Sequence, residues 1–325
     1  MASGSTITAG GMQTMTQVVA ATDLVEPADF NNARTNIDRL LGTAQSVNTG
    51  GYVANDTYGW TQGGAGVSAA SSGGLIYADN ATGGFKRLQD DVQAACAYLG
   101  VALRSGVGTD VTSATTISAA TWNNLMLNVQ DIWNARFSPA SRTATTQDSA
   151  QRTTSWTNTL TQVTTWTFSS ATDARSFFNL GGALGMSASR TGGHTRSQNT
   201  NWTNKLDAIG DVFMYHNDTQ ASAGSPASLG FYDLTTSNQT LLQYFGSPAP
   251  YGSDFVRVSA RVNSTTAPTQ VIITTELQDA GDGVLDDVVD GTLTINARRN
   301  LPNENGSGFS IAAPSAVSSG AVSGS

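Results

Sequence analysis

The sequence predicts an α+β protein in which amphipathic helices with Gly-rich loops come first and a mainly antiparallel β-sheet or sandwich follows. Two stretches in the first half, Glu26 to Leu41 and Ser118 to Trp133, carry apolar residues at helical spacing. From about Thr143 apolar residues alternate with polar ones, as on a half-buried strand. Only 12% of the residues are charged, and Gly, Ala, Ser, Thr and Asn are abundant.

These changes along the sequence divide the chain into four parts. We assign an N-terminal arm to residues 1–25, a helical repeat region to 26–142, a β-rich domain to 143–313 and a low-complexity tail to 314–325. The tail, "PSAVSSGAVSGS", is too poor in large apolar residues to form a core of its own. If it is ordered, we expect a neighbouring chain to order it.

The two helical stretches align as copies of one unit. Phe30 matches Trp122, and a pair of asparagines follows each aromatic residue. Ser118 is a good N-cap for the second helix, and Gly42 is well placed to end the first. A looser third copy is "GFKRLQDDVQAACAYLG". A fourth candidate is "NWTNKLDAIGDVF", where we expect Gly210 to end the helix and "DVFMYH" to continue as a strand.

The β-rich part begins with a strand or hairpin in "TTSWTNTLTQVTTWTF". Its large apolar residues fall on alternating positions and predict one buried face, and they are Trp156, Leu160, Trp166 and Phe168. Short apolar or alternating runs follow between turn residues, as in an antiparallel meander. These runs are "SLGFYDL", "TLLQYFG", "DFVRVSARV", "QVIITTEL" and "DGTLTINAR".

Composition argues against several classes of protein. The net charge is −8, the only lysines are Lys86 and Lys205, and no basic run offers a nucleic-acid footprint. No run of about 18 apolar residues predicts a membrane-spanning helix. The start "MASGSTITAGGM" shows no secretory signal, so we expect synthesis in the cytoplasm. Cys96 is the single cysteine, and we expect a buried structural thiol.

The two histidines are the first candidates for catalysis. His194 lies in the Gly-rich "RTGGHTR", and His216 ends a predicted strand in "FMYHND". A catalytic triad needs a histidine that a carboxylate orients, and no G-x-S-x-G signature accompanies either residue. We therefore interpret both as polar loop or strand-end residues. We assign no catalytic, cofactor-binding or metal-binding residue.

An acidic run, "ELQDAGDGVLDDVVDG", is the other candidate. Its carboxylates are Glu276, Asp279, Asp282, Asp286, Asp287 and Asp290. Several carboxylates together suit Ca²⁺, but the spacing is not that of an EF-hand. A pair of carboxylates for glycoside hydrolysis is a second alternative. An Asp-rich turn between two strands explains the run most simply.

The run "ARSFFNLGGALGMSASRTGG", Ala174 to Gly193, resembles the "FFNSGG…SASRSGG" segment of virion structural proteins of tailed bacteriophages, notably those of marine and cyanobacterial hosts. Three further stretches are similar to elements of that family in the same order, namely "ISAATWNN", "NWTNKLDAIGDVF" and "DDVVDGTLTINAR". The resemblance extends from Pro27 to Ala313. The chain departs from it at Leu180, where the family usually has Ser, and in a longer insert around Gly51 to Gly74.

The resemblance implies a non-enzymatic structural component of a phage virion, in the tail, neck or a fibre-like surface appendage. The implied partners are identical subunits and other virion proteins, with no cofactor, and the implied place is the virion after assembly in the host cytoplasm. An alternative is an adhesin domain that binds host-surface glycans through aromatic residues such as Tyr58 or Trp60. A depolymerase that uses the acidic run, with Asp286 as the residue to test, is a third hypothesis.

Overall fold

A computed structural model of the chain describes residues 5–8, 12–18, 25–39, 70, 76, 84–112, 116–135, 143–246, 251–280, 288–302, 312–320 and 322–324. These residues confirm a mixed α+β class with antiparallel sheets. Five helices lie among them: α1 Pro27–Arg39, α2 Phe85–Leu99, α3 Ala119–Ala135, α4 Ala171–Asn179 and α5 Ser197–Ile209. None of these helices is long and apolar enough to cross a bilayer.

The strands of the described residues are mostly short. The first seven are β1 Thr6–Ile7, β2 Met15–Thr16, β3 Thr145–Arg152, β4 Thr159–Thr167, β5 Ala183–Thr191, β6 Val212–Met214 and β7 Thr219–Gln220. The others are β8 Gln239–Tyr244, β9 Phe255–Val262, β10 Gln270–Gln278, β11 Thr292–Asn300, β12 Ser315–Ser318 and β13 Ser323–Gly324.

Helices α1, α2 and α3 pack against one another through buried aromatic residues. Phe30, Phe85 and Trp122 are each at most 2% exposed. The rings of Phe85 and Trp122 lie 5.9 Å apart. The indole of Trp133 on α3 donates a hydrogen bond of 3.0 Å to the carbonyl of Asn36 on α1. The predicted apolar faces therefore meet in a common core.

Side-chain amides of α1 bind the extended segment that precedes this helix. Asn36 accepts a hydrogen bond from the main-chain N–H of Gln13 and donates one to its carbonyl, at 2.7 and 2.8 Å. Asn32 donates to the carbonyl of Thr14 at 2.8 Å. One amide thus satisfies both main-chain groups of a residue, as a neighbouring strand would.

Helices α2 and α3 hold extended chain in the same manner. Asn128 of α3 accepts from the N–H of Arg104 at 2.9 Å and donates to the carbonyl of Ala102 at 3.0 Å. Gln89 of α2 donates to two carbonyls between the helices, those of Val107 and Thr109, at 2.7 Å each. Irregular segments therefore stay ordered without sheet partners.

Two larger antiparallel sheets form the β-rich part. One has the order β12-β4-β10-β9-β8, with β13 also on β4, and the other has the order β3-β11-β5-β6-β7. Residues Leu160, Gln162, Thr164 and Trp166 of β4 are buried on alternating positions. The inward residues of both sheets belong to one hydrophobic core. The alternation predicted for this part of the chain is therefore correct.

The tail differs from its prediction. β12 pairs with β4 from Ser315 opposite Thr167 to Ser318 opposite Thr164, and β13 pairs with β4 further along. Val322, between the two strands, is 2% exposed. The chain thus orders its own tail. The expectation from the sequence, that a neighbouring chain orders this segment, differs from this pairing.

Two local elements also differ from the sequence pattern. The run "SLGFYDL" predicts a strand, but Phe231–Asp233 form a 3-10 turn. The carboxylate of Asp233 caps this turn by accepting from the N–H of Gly230 at 2.9 Å. The sequence pattern does not predict helix α4. Ser170 caps this helix by accepting from the N–H of Asp173 at 3.0 Å. Local capping by short polar side chains decides both outcomes.

We expect Trp122→Ala to lower the free energy of unfolding by about 3–5 kcal/mol, because it leaves a large cavity between α2 and α3. Chemical denaturation followed by circular dichroism measures this loss. Asn134→Ala, on the exposed side of α3, is the matched control and should change stability by less than about 0.5 kcal/mol. Equal stability of the two variants would contradict the packing of these helices.

Candidate functional site

The described residues bring the Gly-rich turn at 191–193 and Asp290 together at one end of the second sheet. β5 and β11 pair along their whole lengths, with Thr191 opposite Thr292. Because the strands are antiparallel, the turn that leaves β5 lies beside the residues that enter β11. Two segments nearly 100 residues apart therefore form one site, which we call the Asp290 site.

The carboxylate of Asp290 is the centre of the site. Its Oδ1 accepts hydrogen bonds from the main-chain N–H of His194 at 2.9 Å and from the side chain of Asn199 at 2.6 Å. Its Oδ2 bonds to the ring Nδ1 of His194. The turn and the first part of α5 thus converge on a single charged group.

Asn199 joins the three segments of the site. Its Nδ2 also donates to the carbonyl of His194 at 2.8 Å. Its Oδ1 accepts from the main-chain N–H of Asp290 at 3.1 Å. Every hydrogen-bonding group of this side chain is therefore used to hold the turn against the start of β11.

Arg190 lies beneath the turn and is almost fully buried. Its guanidinium donates to the carbonyls of Asn199 and Gly192 at 3.2 and 3.1 Å, and one of its nitrogens lies 3.6 Å from Asp290 Oδ1. Burial lowers the pKa of the Arg190 guanidinium, and the charge of Asp290 opposes that effect. A buried arginine thus pairs with Asp290, whose side chain is partly exposed.

The turn depends on glycine at position 193. Gly193 has a φ of +83°, in the left-handed region that disfavours other residues. A Cβ at this position would also collide with the carboxylate of Asp290. The "TGG" of the sequence motif therefore lets the main chain approach the acid closely.

The hydrogen bonds fix the charge state of the acid. Bonds from His194 and Asn199 hold the pKa of the Asp290 carboxyl well below its ordinary value. An ionised carboxylate only accepts, so the proton in this hydrogen bond lies on His194 Nδ1. A histidine that an aspartate orients in this way is two thirds of a triad.

The described part of the site offers no partner hydroxyl to that histidine. Among the described residues, the His194 ring hydrogen-bonds to Asp290 alone, and its side chain is 76% exposed. The chemistry visible here is a charge-assisted link between two segments. The arrangement suits a structural lock.

A second polar cluster lies fully inside the protein. Lys205 of α5 is 1% exposed, and its ammonium donates to the carbonyl of Asp254 at 2.6 Å and lies 4.8 Å above the Trp202 ring. Burial lowers the pKa of Lys205 to about 8, against the opposing charges of Asp254 and Asp279. Gln198 donates to both carboxylate oxygens of Asp279, at 2.8 and 2.9 Å.

The acidic run of the sequence is divided in the structure. Glu276 pairs with Arg257 at 2.6 Å on neighbouring strands, and Asp279 is buried beside Gln198. Asp290 belongs to the site above. Asp282, Asp286 and Asp287 lie outside the described residues. The described part of the chain holds no group of three potential metal-ligating side chains.

The remaining candidate residues lie apart from the Asp290 site. His216 is 7% exposed, between β6 and β7, and its carbonyl accepts from the N–H of Tyr232 at 3.0 Å. Cys96 is buried as predicted, and burial raises the pKa of its thiol to about 12. Tyr58 and Trp60 lie outside the described residues.

Sequence reasoning missed Asn199, Arg190 and Lys205. Arg190 is the first residue of the quoted "RTGGHTR" motif and Asn199 follows its last residue by three positions, so two polar residues near an unusual Gly-Gly turn were the available signal. Lys205 gave a weaker signal. It is one of only two lysines in the chain, and it lies on the helix that Trp202 anchors. No protein-family model, no curated protein and no solved structure matches this chain.

We expect Asp290→Asn to destabilise the protein at neutral pH, because the amide cannot accept all the hydrogen bonds that the carboxylate accepts. The folded-state pKa of Asp290 is depressed, so its contribution is present above the ordinary carboxyl value of 3.8 and is lost as pH falls through the folded value. Denaturation at several pH values should show the variant approaching wild type in acid. Asp207→Asn, on the exposed side of α5, is the control. A difference in stability between Asp290→Asn and wild type that persists unchanged in acid would contradict the structural role of the Asp290 carboxylate.

Burial of Lys205 should make the stability of the protein rise with pH as well, but in the basic range. The unfolded chain holds this proton up to about pH 10.5 and the folded chain only to about 8, so the free energy of unfolding should rise between these values. The rise is up to about 3 kcal/mol. Lys205→Met, which keeps the length of the side chain, should abolish this slope. The same slope in both proteins would show that another group causes it.

Proposed function

We propose that the protein is a non-enzymatic structural component of a tailed-bacteriophage virion, in the tail, neck or a fibre-like appendage, that assembles by self-association. The observation that carries the proposal is where the phage-like motifs meet. The "FFNLGG" and "SASRTGG" stretches become α4, its following turn and β5, and "VDGTLT" becomes Asp290 and β11. These motifs lie together although more than 100 residues separate their ends.

The contacts among these motifs support a structural role. Asn179 of the "FFN" stretch accepts from the hydroxyl of Tyr232 at 2.8 Å, and Phe178 stacks on Phe231 at 4.3 Å. The "RTGGH" turn binds Asp290 through hydrogen bonds internal to the protein. The residues that make this sequence resemble phage proteins are thus the ones that join its elements.

The proposal includes an internal repeat in the helical region, in which α1, α2 and α3 are three copies of one unit. Each unit consists of a helix and the segment that precedes it. Asn31 of α1 exchanges two hydrogen bonds with the main chain of Ala70, at 2.8 Å each. Asn123, at the matching position of α3, exchanges two with Val18, also at 2.8 Å. This shared contact supports the alignment of the two helices.

The helix of each unit contacts the segment that precedes the helix of the next unit. The residue of α2 that corresponds to Asn31 is Lys86, and its ammonium lies 3.3 Å from Asp110 in the segment before α3. The contact from α3 back to Val18 closes the series. A closed set of three similar units gives a rigid anchor for the β-rich part, as a particle component requires.

The test is the presence of the chain in virions. Mass spectrometry of purified particles should detect it in several copies, and gold-labelled antibody should decorate one station on the particle in electron micrographs. Antibody absorbed with the purified protein is the control. Sedimentation of the recombinant chain should show discrete oligomers.

Absence from mature particles, together with a monomer at every concentration tested, would refute this function. Specific retention on a host-surface glycan array would instead favour the adhesin alternative. Release of reducing sugar that Asp286→Asn abolishes would favour the depolymerase. The three outcomes can be distinguished.

A further inference from the structure

One edge of the first sheet is covered by a short segment that follows all its other strands in sequence. We call residues 312–320 and 322–324 the strap. β12 and β13 of the strap pair with one side of β4, and β10 pairs with the other side along all nine residues of β4. Without the strap, β4 would present a row of unpaired main-chain groups, which is an association site.

The rest of the protein binds the strap mainly by its main chain. Asp148 of β3 accepts from the N–H of Ser318 at 2.6 Å, and this bond lowers the pKa of the Asp148 carboxyl. Arg299 donates to the carbonyl of Pro314 at 2.8 Å. Arg152 donates to the carbonyls of Val322 and Gly324 at 3.3 and 2.9 Å. Charged side chains on β3 and β11 therefore form a receptor for an extended chain.

Two serine side chains of the strap also bind β4. Ser319 Oγ accepts from the N–H of Val163 at 3.3 Å, and Ser323 Oγ donates to the carbonyl of Thr161 at 3.2 Å. Val317, in the middle of β12, is 65% exposed, whereas Pro314 and Val322 of the strap are buried. The strap carries no charge, and the described side chains that face it supply both signs. The receptor thus suits an uncharged extended segment with small side chains, serine hydroxyls that reach β4, and two buried residues, Pro314 and Val322.

We propose that the β4 edge is a self-association surface that takes the strap of a second copy of this chain in the assembled protein, and its own strap in the free protein. The proposal rests on the proposed self-associating function and names its interface. A second copy supplies the same sequence, so exchange preserves every contact described above. Nine residues, 303–311, join the strap to Pro302. Extended, they reach about 30 Å.

Mixed single-cysteine variants test the exchange. Thr165 and Val317 lie opposite each other on β4 and β12. We would assemble Thr165→Cys chains with Val317→Cys chains that carry tags of different mass, and then oxidise them mildly. A disulfide between the two variants can form only if the strap of one chain lies on β4 of another. Cys96 is 1% exposed and does not compete.

The expected result is a dimer of mixed tags on a non-reducing gel in the assembled fraction. Gln151→Cys mixed with Thr294→Cys is the matched control, because these partners lie on β3 and β11 within one chain. The control should give no mixed dimer. Assembly without a mixed Thr165–Val317 dimer would overturn the exchange and leave the structural function standing. Failure of the chain to associate at all would overturn the exchange and the self-association that the proposed function includes.

Discussion

The structure depends on supplying hydrogen-bond partners to main-chain groups that no sheet or helix satisfies. The chain has many Gly, Ser and Thr residues and long connections, and a buried main-chain group without a partner is costly. Side-chain amides of Asn36, Asn128 and Gln89 supply the missing partners around α1, α2 and α3. The helical part is therefore held together by side-chain amides as well as by its aromatic core.

The β-rich part solves the same problem at the Asp290 site. There a carboxylate accepts the N–H of His194, and Asn199 satisfies a carbonyl and an N–H at once. The buried charge at this site is the guanidinium of Arg190, and Asp290 compensates it. Such a site gives a fixed angle between β5, α5 and β11, because moving any of them breaks several bonds together.

The sequence was sufficient for features that rest on periodicity. The helices around Phe30, Phe85 and Trp122 and the alternation of Leu160 and Trp166 follow from spacing alone. The Asp290 site needed β5 and β11 to pair, and that long-range register has no local signal. The turn at Phe231 and helix α4 depend on capping side chains. In the sequence these caps give a weaker signal than the apolar pattern around them. The proposed repeat and phage role stay predictions.

The two lysines have different fates, and this affects how the protein reacts with amine reagents. Lys205 is sealed in the interior, whereas the ammonium of Lys86 is partly exposed beside Asp90 and Asp110. Aldehyde fixatives and succinimidyl esters therefore find a single lysine side chain on the folded surface. A dye attached there would report on α2, and chemical fixation would preserve contacts between copies poorly.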